Sequence, residues 1–356
     1  MPVVHLCIPQ LLQPLEEWNK GRNKDFLFEP IAPELCQLLS QFEVCEDSVN
    51  QGLEASLFNA LGMTHIQDNQ GYQDLPVAHY RYQTHGQPPS SKALLCADPI
   101  HLEAGMNDIT LTNIIDDLTP SEVDEILEDL NKHFKQDKLA FIQGSNQHWY
   151  VSLPEAENIR TTPLNQVFRK NIANFQPHSE VRNWQIIQNE SQMILHNSPI
   201  NKQREMAGLP TINSLWFWGG GKIGEQSRKS SVVHVYCNKN AETSASTIAK
   251  AANCKSSILL DELPRFTAGK TLIILDQLFQ PAVHDNLDFY QQELTAMDED
   301  IIKPLRQAWQ AGKVEILIDG CDGKILKPVK PKAWKFWANK PALLSALSTF
   351  PDLASK

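Results

Sequence analysis

The sequence predicts an α/β protein whose main sheet is mostly parallel, preceded by a smaller α+β unit. Two observations carry this reading. From Ser214 onward, short apolar runs without polar alternation take turns with helical segments, as in a parallel sheet covered on both faces. Between Ala93 and Leu153, two short strands, a helix and two further strands follow one another, as in a compact unit with antiparallel pairing. At 356 residues, the chain has room for two domains or for one large domain carrying an insertion.

The elements follow in order. Val3–Ile8 is an apolar run that reads as a strand, ended by Pro9 and Pro14. Helices are expected near Pro33–Phe42 and Leu53–Leu61. Gln67–Ser91, rich in Gln, Gly, Pro and His, reads as loop. Ala93–Cys96 and Ile109–Ile115 are strands. Thr119-Pro120-Ser121-Glu122 is a capping box with Pro at the first helical position, and Val123, Ile126, Leu127, Leu130 and Phe134 continue it at helical spacing. Leu139–Ile142 and Trp149–Leu153 are strands. A long helix is expected over Glu180–His196, with Val181, Trp184, Ile187 and Ile194 on one face and a stop at Asn197-Ser198-Pro199. Leu215–Trp218, Val232–Tyr236, Ile258–Leu260, Thr271–Leu275 and Val314–Ile318 read as strands. Helices are expected at Ala245–Ala252 and Leu287–Gln310, the latter divided or kinked at Pro304.

Composition excludes several functions. Lys+Arg number 32 against 42 Asp+Glu, a net charge of −10, which disfavours a general nucleic-acid binder. With 42% hydrophobic residues the chain can bury a core and is not mainly disordered. No apolar run approaches a membrane span, and the opening residues carry no basic signal-peptide region, so a cytoplasmic address and no membrane contact are expected. Seven scattered cysteines without a C-x-x-C pair read as reduced thiols, not as a disulfide frame or a zinc site, and no metal or cofactor is expected.

The densest cluster of polar and glycine residues runs from Asn201 and Arg204 to Asn213, Trp216, Trp218, Gly219, Gly220, Gly221 and Lys222. Glycine N–H groups after an apolar strand can form an anion nest, with Lys222 adding a point charge. A plain chain-reversing turn is the alternative. The segment is neither a G-x-x-x-x-G-K-[ST] loop nor G-x-G-x-x-G. Trp216 and Trp218 fall on one strand face and Phe217 on the other; they either stack on a ligand or pack in a core. Asp98 and His101 sit in Cys96-Ala97-Asp98-Pro99-Ile100-His101, read as the loop after a strand and hence either a site or a simple Asp-Pro turn. The tail interleaves Lys324, Lys327, Lys330, Lys332, Lys335 and Lys340 with Trp334, Phe336 and Trp337, a solvated charge run or a contact surface.

Four ordered motifs then fit a known family. Cys96-Ala-Asp-Pro-Ile-His-Leu102, Trp149-Tyr-Val-Ser-Leu-Pro154, Thr161-Thr-Pro-Leu164 and Asn213-Ser-Leu-Trp-Phe-Trp-Gly-Gly-Gly221 together resemble the bacterial family of regulatory proteins of the RpfE type. That family looks like a distant relative of cofactor-independent phosphoglycerate mutases. The run Ser198-Pro-Ile-Asn-Lys-Gln-Arg204, followed by Gly208-Leu-Pro210 and Asn213, is similar to the archaeal enzymes' H-P-x-N-x-x-R…G-L-P-x-x-N, with Ser198 in place of His. The resemblance implies an alkaline-phosphatase-like α/β core, residues 1–90 and 214–356, interrupted by an α+β insert, residues 91–213.

It also implies where this chain departs from active relatives, which hold two metals with Asp and His and use a Ser or Thr nucleophile. Val3–Ile8 leads into Pro9-Gln10 instead of an Asp. Val314–Ile318 runs into Asp319-Gly320-Cys321-Asp322 instead of Asp-His, and no histidine follows His284. The expectation is a catalytically degenerate protein with no catalytic residues, having a regulatory or anionic-ligand role at Asn201, Arg204, Asn213, Trp216, Trp218, Gly219–Gly221, Lys222, Asp98 and His101. Its partner would be a phosphorylated small molecule or a protein. An active metal-dependent phosphomutase or phosphatase, and an interaction module using the Trp334–Trp337 tail, are the alternatives.

Overall fold

The computed structural model describes residues 1–19, 27–40, 42–47, 52–63, 74–87, 90, 92–106, 108–155, 157–221, 230–237, 248–250, 252–259 and 263–330. Lys222, the expected helix start near Ala245 and the tail from Lys332 to Lys340 lie outside the described residues. In chain order the elements are β1 (Val3–Cys7), α1 (Gln13–Asn19), α2 (Pro33–Leu38), β2 (Phe42–Asp47) and α3 (Leu53–Ala60). Next come α4 (Val77–Thr84), β3 (Leu94–Ala104), β4 (Ile109–Ile114), α5 (Pro120–His133), β5 (Ala140–Gln143), β6 (Trp149–Ser152), β7 (Ile159–Arg160), α6 (Leu164–Val167), β8 (His178–Ser179), α7 (Trp184–Asn197), α8 (Pro199–Met206) and β9 (Ser214–Trp218). The chain ends with β10 (Val232–Cys237), β11 (Lys255–Ile258), β12 (Lys270–Ile274), α9 (Phe279–Val283), α10 (Leu287–Met297), α11 (Lys303–Gln310), β13 (Glu315–Asp319) and β14 (Lys324–Pro328).

Two units form: Met1–Met63 with Arg228–Lys356, and Thr64–Ser227. The first holds a seven-stranded sheet in the order β11-β10-β12-β1-β13-β14-β2. β1 pairs in parallel with β12 on one edge and β13 on the other; β14 and β2 add an antiparallel border that the sequence reading missed. Buried on both faces, β1 has the near-continuous apolar run of a central parallel strand. Val4, Leu6 and Ile8 enter a core completed by Leu35, Tyr290, Leu294, Leu305 and Trp309. His5 and Cys7 alternate to the opposite face. The helical stretch before β13 divides at a π turn, Asp298–Ile302, and Pro304 opens α11, where its missing N–H costs nothing.

The second unit is an antiparallel sheet, β4-β3-β6-β5, with β9 paired to β3. The expected domain edges therefore shift. By its uniformly apolar sequence, the strand from 214 onward reads as part of the parallel core. Its Leu215 and Phe217 instead complete the second unit's core with Trp149, Val151, Trp184 and the α5 residues Val123, Ile126 and Leu130. The capping box on Thr119 forms, with reciprocal bonds to Glu122. α7 begins at Trp184, capped by Asn183, so Val181 precedes the helix and is 74% exposed instead of sharing its buried face. After the predicted stop, Ser198 caps a new helix, α8, with Pro199 at its first position.

Candidate functional site

In open α/β sheets, chemistry gathers at the carboxyl ends of the parallel strands. Here that edge places Cys7 opposite Asp319 in the β1–β13 ladder, with His5 two residues back on the same face. One ligand atom from each of His5, Cys7 and Asp319 lies within 4.8 Å of the others, and His5 Nε2 stands 3.6 Å from Asp319 Oδ2. The loop after β13 turns back through Cys321, whose φ is +60°, and its thiol lies near the Cys7 thiol and the Ser56 hydroxyl of α3. Asp319 Oδ1 accepts the Cys321 N–H at 2.8 Å. All of these side chains are buried.

The neighbouring Cys321 thiol and burial hold the Cys7 thiol well above its ordinary range, and burial raises Cys321. Both are protonated at neutral pH and unfit as nucleophiles. A two-metal phosphoryl-transfer centre does not fit this edge. Among the described residues three metal-ligating side chains converge, all of them buried, which is too few donors for two ions and leaves no approach for substrate.

The residues singled out from sequence fall in the second unit, around the two ends of β9. At the Trp218 end, Asp98 is not in a loop: β3 runs through it to Ala104, because residues 96–100 pair with β9. α4, which the sequence reading took for loop, covers this face and sends Arg81 to Asp98 in a bidentate pair at 2.6 and 3.0 Å. Trp218 Nε1 donates to the same carboxylate at 2.7 Å. The Arg81 guanidinium lies 5.2 Å from the Tyr150 ring centroid and 5.4 Å from that of Trp218. A desolvated pair of this kind is tolerated because its geometry is good and aromatic faces wall the cation. Burial, followed by the positive charge of Arg81, pushes the nearby His148 down to about 3, so it stays neutral.

The glycine turn meets an anion, but the anion is the chain's own Asp74. N–H groups of Leu75 and Gly220 serve its carboxylate, and Thr161 Oγ1 donates to it at 2.8 Å while accepting from Gly219 N at 2.9 Å. Gly221 N donates to Leu75 O, and Ala78 N to Gly219 O. Gly219 sits at φ +70°, and a Cβ on Gly221 would fall 2.0 Å from the Asp74 carbonyl oxygen. The glycines thus admit the backbone of residues 74–78. Burial raises the Asp74 carboxyl to about 7 despite its hydrogen bonds.

At the Ser214 end the polar side chains fasten backbone. Asn201 bonds Leu195 O, Ile212 O and Ile212 N; Asn213 clamps both backbone groups of Leu102. Arg204 donates to Pro210 O at 2.8 Å and to Asp117 at 2.6 Å. His101 Nδ1 lies 2.7 Å from Thr211 O, and Trp216 donates to Thr162 O. The ten expected residues that lie among the described residues do not converge on one pocket. Arg81, Asp74 and His5 were missed: the first two because their segment reads as loop, the third because one His in an apolar strand carries no spacing signal.

Two outcomes are expected. Arg81→Met or Asp98→Asn alone strands one buried partner and lowers unfolding free energy in urea by about 3–5 kcal/mol, while the double variant recovers part of the loss. For Asp74, the folded carboxyl titrates near 7 and the unfolded one near 3.8, so the folded state binds more protons between these values. Stability from this group is therefore present at low pH and lost as pH rises through about 7. The stability advantage of wild type over Asp74→Asn, followed by denaturation from pH 4 to 8, should shrink with rising pH; a flat or growing difference contradicts the assignment.

No protein-family profile matches the chain, and no curated protein matches it. Among solved structures it is similar to the PH0037 protein from Pyrococcus horikoshii, with TM-score 0.44 and 13% identity over 92% of this chain and 87% of that one. It is also similar to the cofactor-independent phosphoglycerate mutase from Thermoplasma acidophilum DSM 1728, with TM-score 0.35 and 12% identity over 98% and 94%. At such scores what those proteins do does not pass to this chain.

Proposed function

We propose that this chain is a catalytically degenerate protein that works by binding, in a regulatory role, and does not transfer phosphoryl groups. The observation that carries the reading is the burial of the three metal-ligating side chains that converge at the carboxyl edge of β1 and β13 among the described residues, His5, Cys7 and Asp319. Phosphoryl transfer needs cations and a nucleophile that reach a substrate, and catalysis there is almost wholly positioning and charge stabilisation. At this edge the thiols are protonated and His5 and Asp319 face each other.

Arg204, expected to hold an anionic ligand, is engaged with Asp117; Arg81 holds Asp98, and the glycine turn holds Asp74. A phosphorylated small molecule must displace a carboxylate to bind there, a cost that a protein partner on the outer surface does not meet. This favours the protein as partner.

Mutase and phosphatase assays on the full chain, with phosphorylated three-carbon acids and an aryl phosphate in Mn2+, Mg2+ or Zn2+, should show no turnover above metal-containing buffer. Turnover that follows the protein through purification and disappears in Asp319→Asn would refute the reading.

A further inference from the structure

Zinc in structural sites is tetrahedral, with bonds of about 2.0–2.3 Å, so neighbouring ligand atoms lie about 3.3–3.8 Å apart. The 3.6 Å between His5 Nε2 and Asp319 Oδ2 is already such an edge. The remaining separations, none above 4.8 Å, close with side-chain movements of about an ångström. Cys321, outside that three-way set but near Cys7, supplies a fourth donor by turning its side chain toward the ion, on a loop whose left-handed residue faces it inward. The set arises from the ladder: β1 presents positions 5 and 7 on one face, and the in-register partner of Cys7 is Asp319.

Charge and softness select the ion. Two thiolates and one carboxylate bring three negative charges to a divalent cation and neutral imidazole adds none, so the occupied cluster carries a net charge of −1 spread over three ligands, where an isolated buried carboxylate holds that charge alone. Thiolate with imidazole favours zinc over magnesium or calcium. Complete burial marks a structural ion, taken up as the sheet closes, with no open position for substrate.

We propose that His5, Cys7, Asp319 and Cys321 bind one zinc ion, which ties β1 to β13 and the loop after it. On binding, His5 gives its Nε2 lone pair and keeps its proton on Nδ1. Asp319 gives a carboxylate oxygen. The Cys7 and Cys321 thiols each pass a proton to solvent as their sulfur–metal bonds form, so two protons leave per ion and nothing is oxidised or reduced.

The test uses the full chain, unfolded with chelator and reductant and refolded with Zn2+ or Co2+. One zinc per chain is expected. Cobalt should give the thiolate charge-transfer band and the intense visible bands of a tetrahedral ion, and zinc should raise Tm by several degrees. Cys7→Ser and Asp319→Asn should lose these responses; Cys45→Ser, at an exposed thiol, should keep them. Should a site variant fail to fold, alkylation of the wild type decides: zinc must shield two cysteines more than refolding without metal does. No thiolate band and no Tm change in the wild type, a band that survives Cys7→Ser, or no shielding overturns the site. The outcome is separable from the binding-only reading: a bound ion without turnover supports both, whereas turnover that requires the ion refutes that reading and keeps the metal at this edge.

Discussion

β1 is hydrogen-bonded along both edges, to β12 and to β13, and its partners come from the far end of the chain. This double pairing closes the first unit across everything inserted after α3. It also sets the chemistry of the sheet's carboxyl edge. In-register pairing puts Asp319 beside Cys7, and the two-residue pleat puts His5 next in line. A slip of β1 by one residue would send His5 and Cys7 into the apolar face now occupied by Leu6 and Ile8, away from Asp319. The apolar core on one face and the polar cluster on the other are two products of one register.

The second unit shows the same economy with different means. Among the described residues, the charged and polar groups that look from sequence like ligand contacts close on other parts of the chain. Arg81 meets Asp98, Arg204 meets Asp117, and the glycine turn receives Asp74. Buried polar groups must be satisfied, and with no ligand needed they satisfy one another. The three glycines answer to a backbone approach, which in a sequence has the same signature as an anion nest.

Much of the fold was legible. Apolar runs with no alternation marked β1, β12 and β13 as strands, and the capping box placed the start of α5 to the residue. What escaped was set by tertiary context. β9 reads like a parallel strand because it is buried on both faces, yet its partner is β3. α4 has no apolar stripe, since its key side chain is an arginine anchored to a buried carboxylate, so polar composition made it look like loop. The same holds for the site. Cys321 and Asp319 stand far from His5 and Cys7 in sequence, and no C-x-x-C spacing announces a cluster that exists only once two distant strands pair.

The account rests on the carboxyl edge of the parallel sheet being a closed, single-ion cluster and not an open two-metal centre. Anomalous diffraction at the zinc absorption edge, from crystals of the full chain grown with zinc, tests this most directly. The account predicts one buried peak bounded by His5, Cys7, Asp319 and Cys321. Two peaks about 3.5–4 Å apart in a cleft open to solvent, as in two-metal enzymes, or no peak among these four side chains, would contradict it.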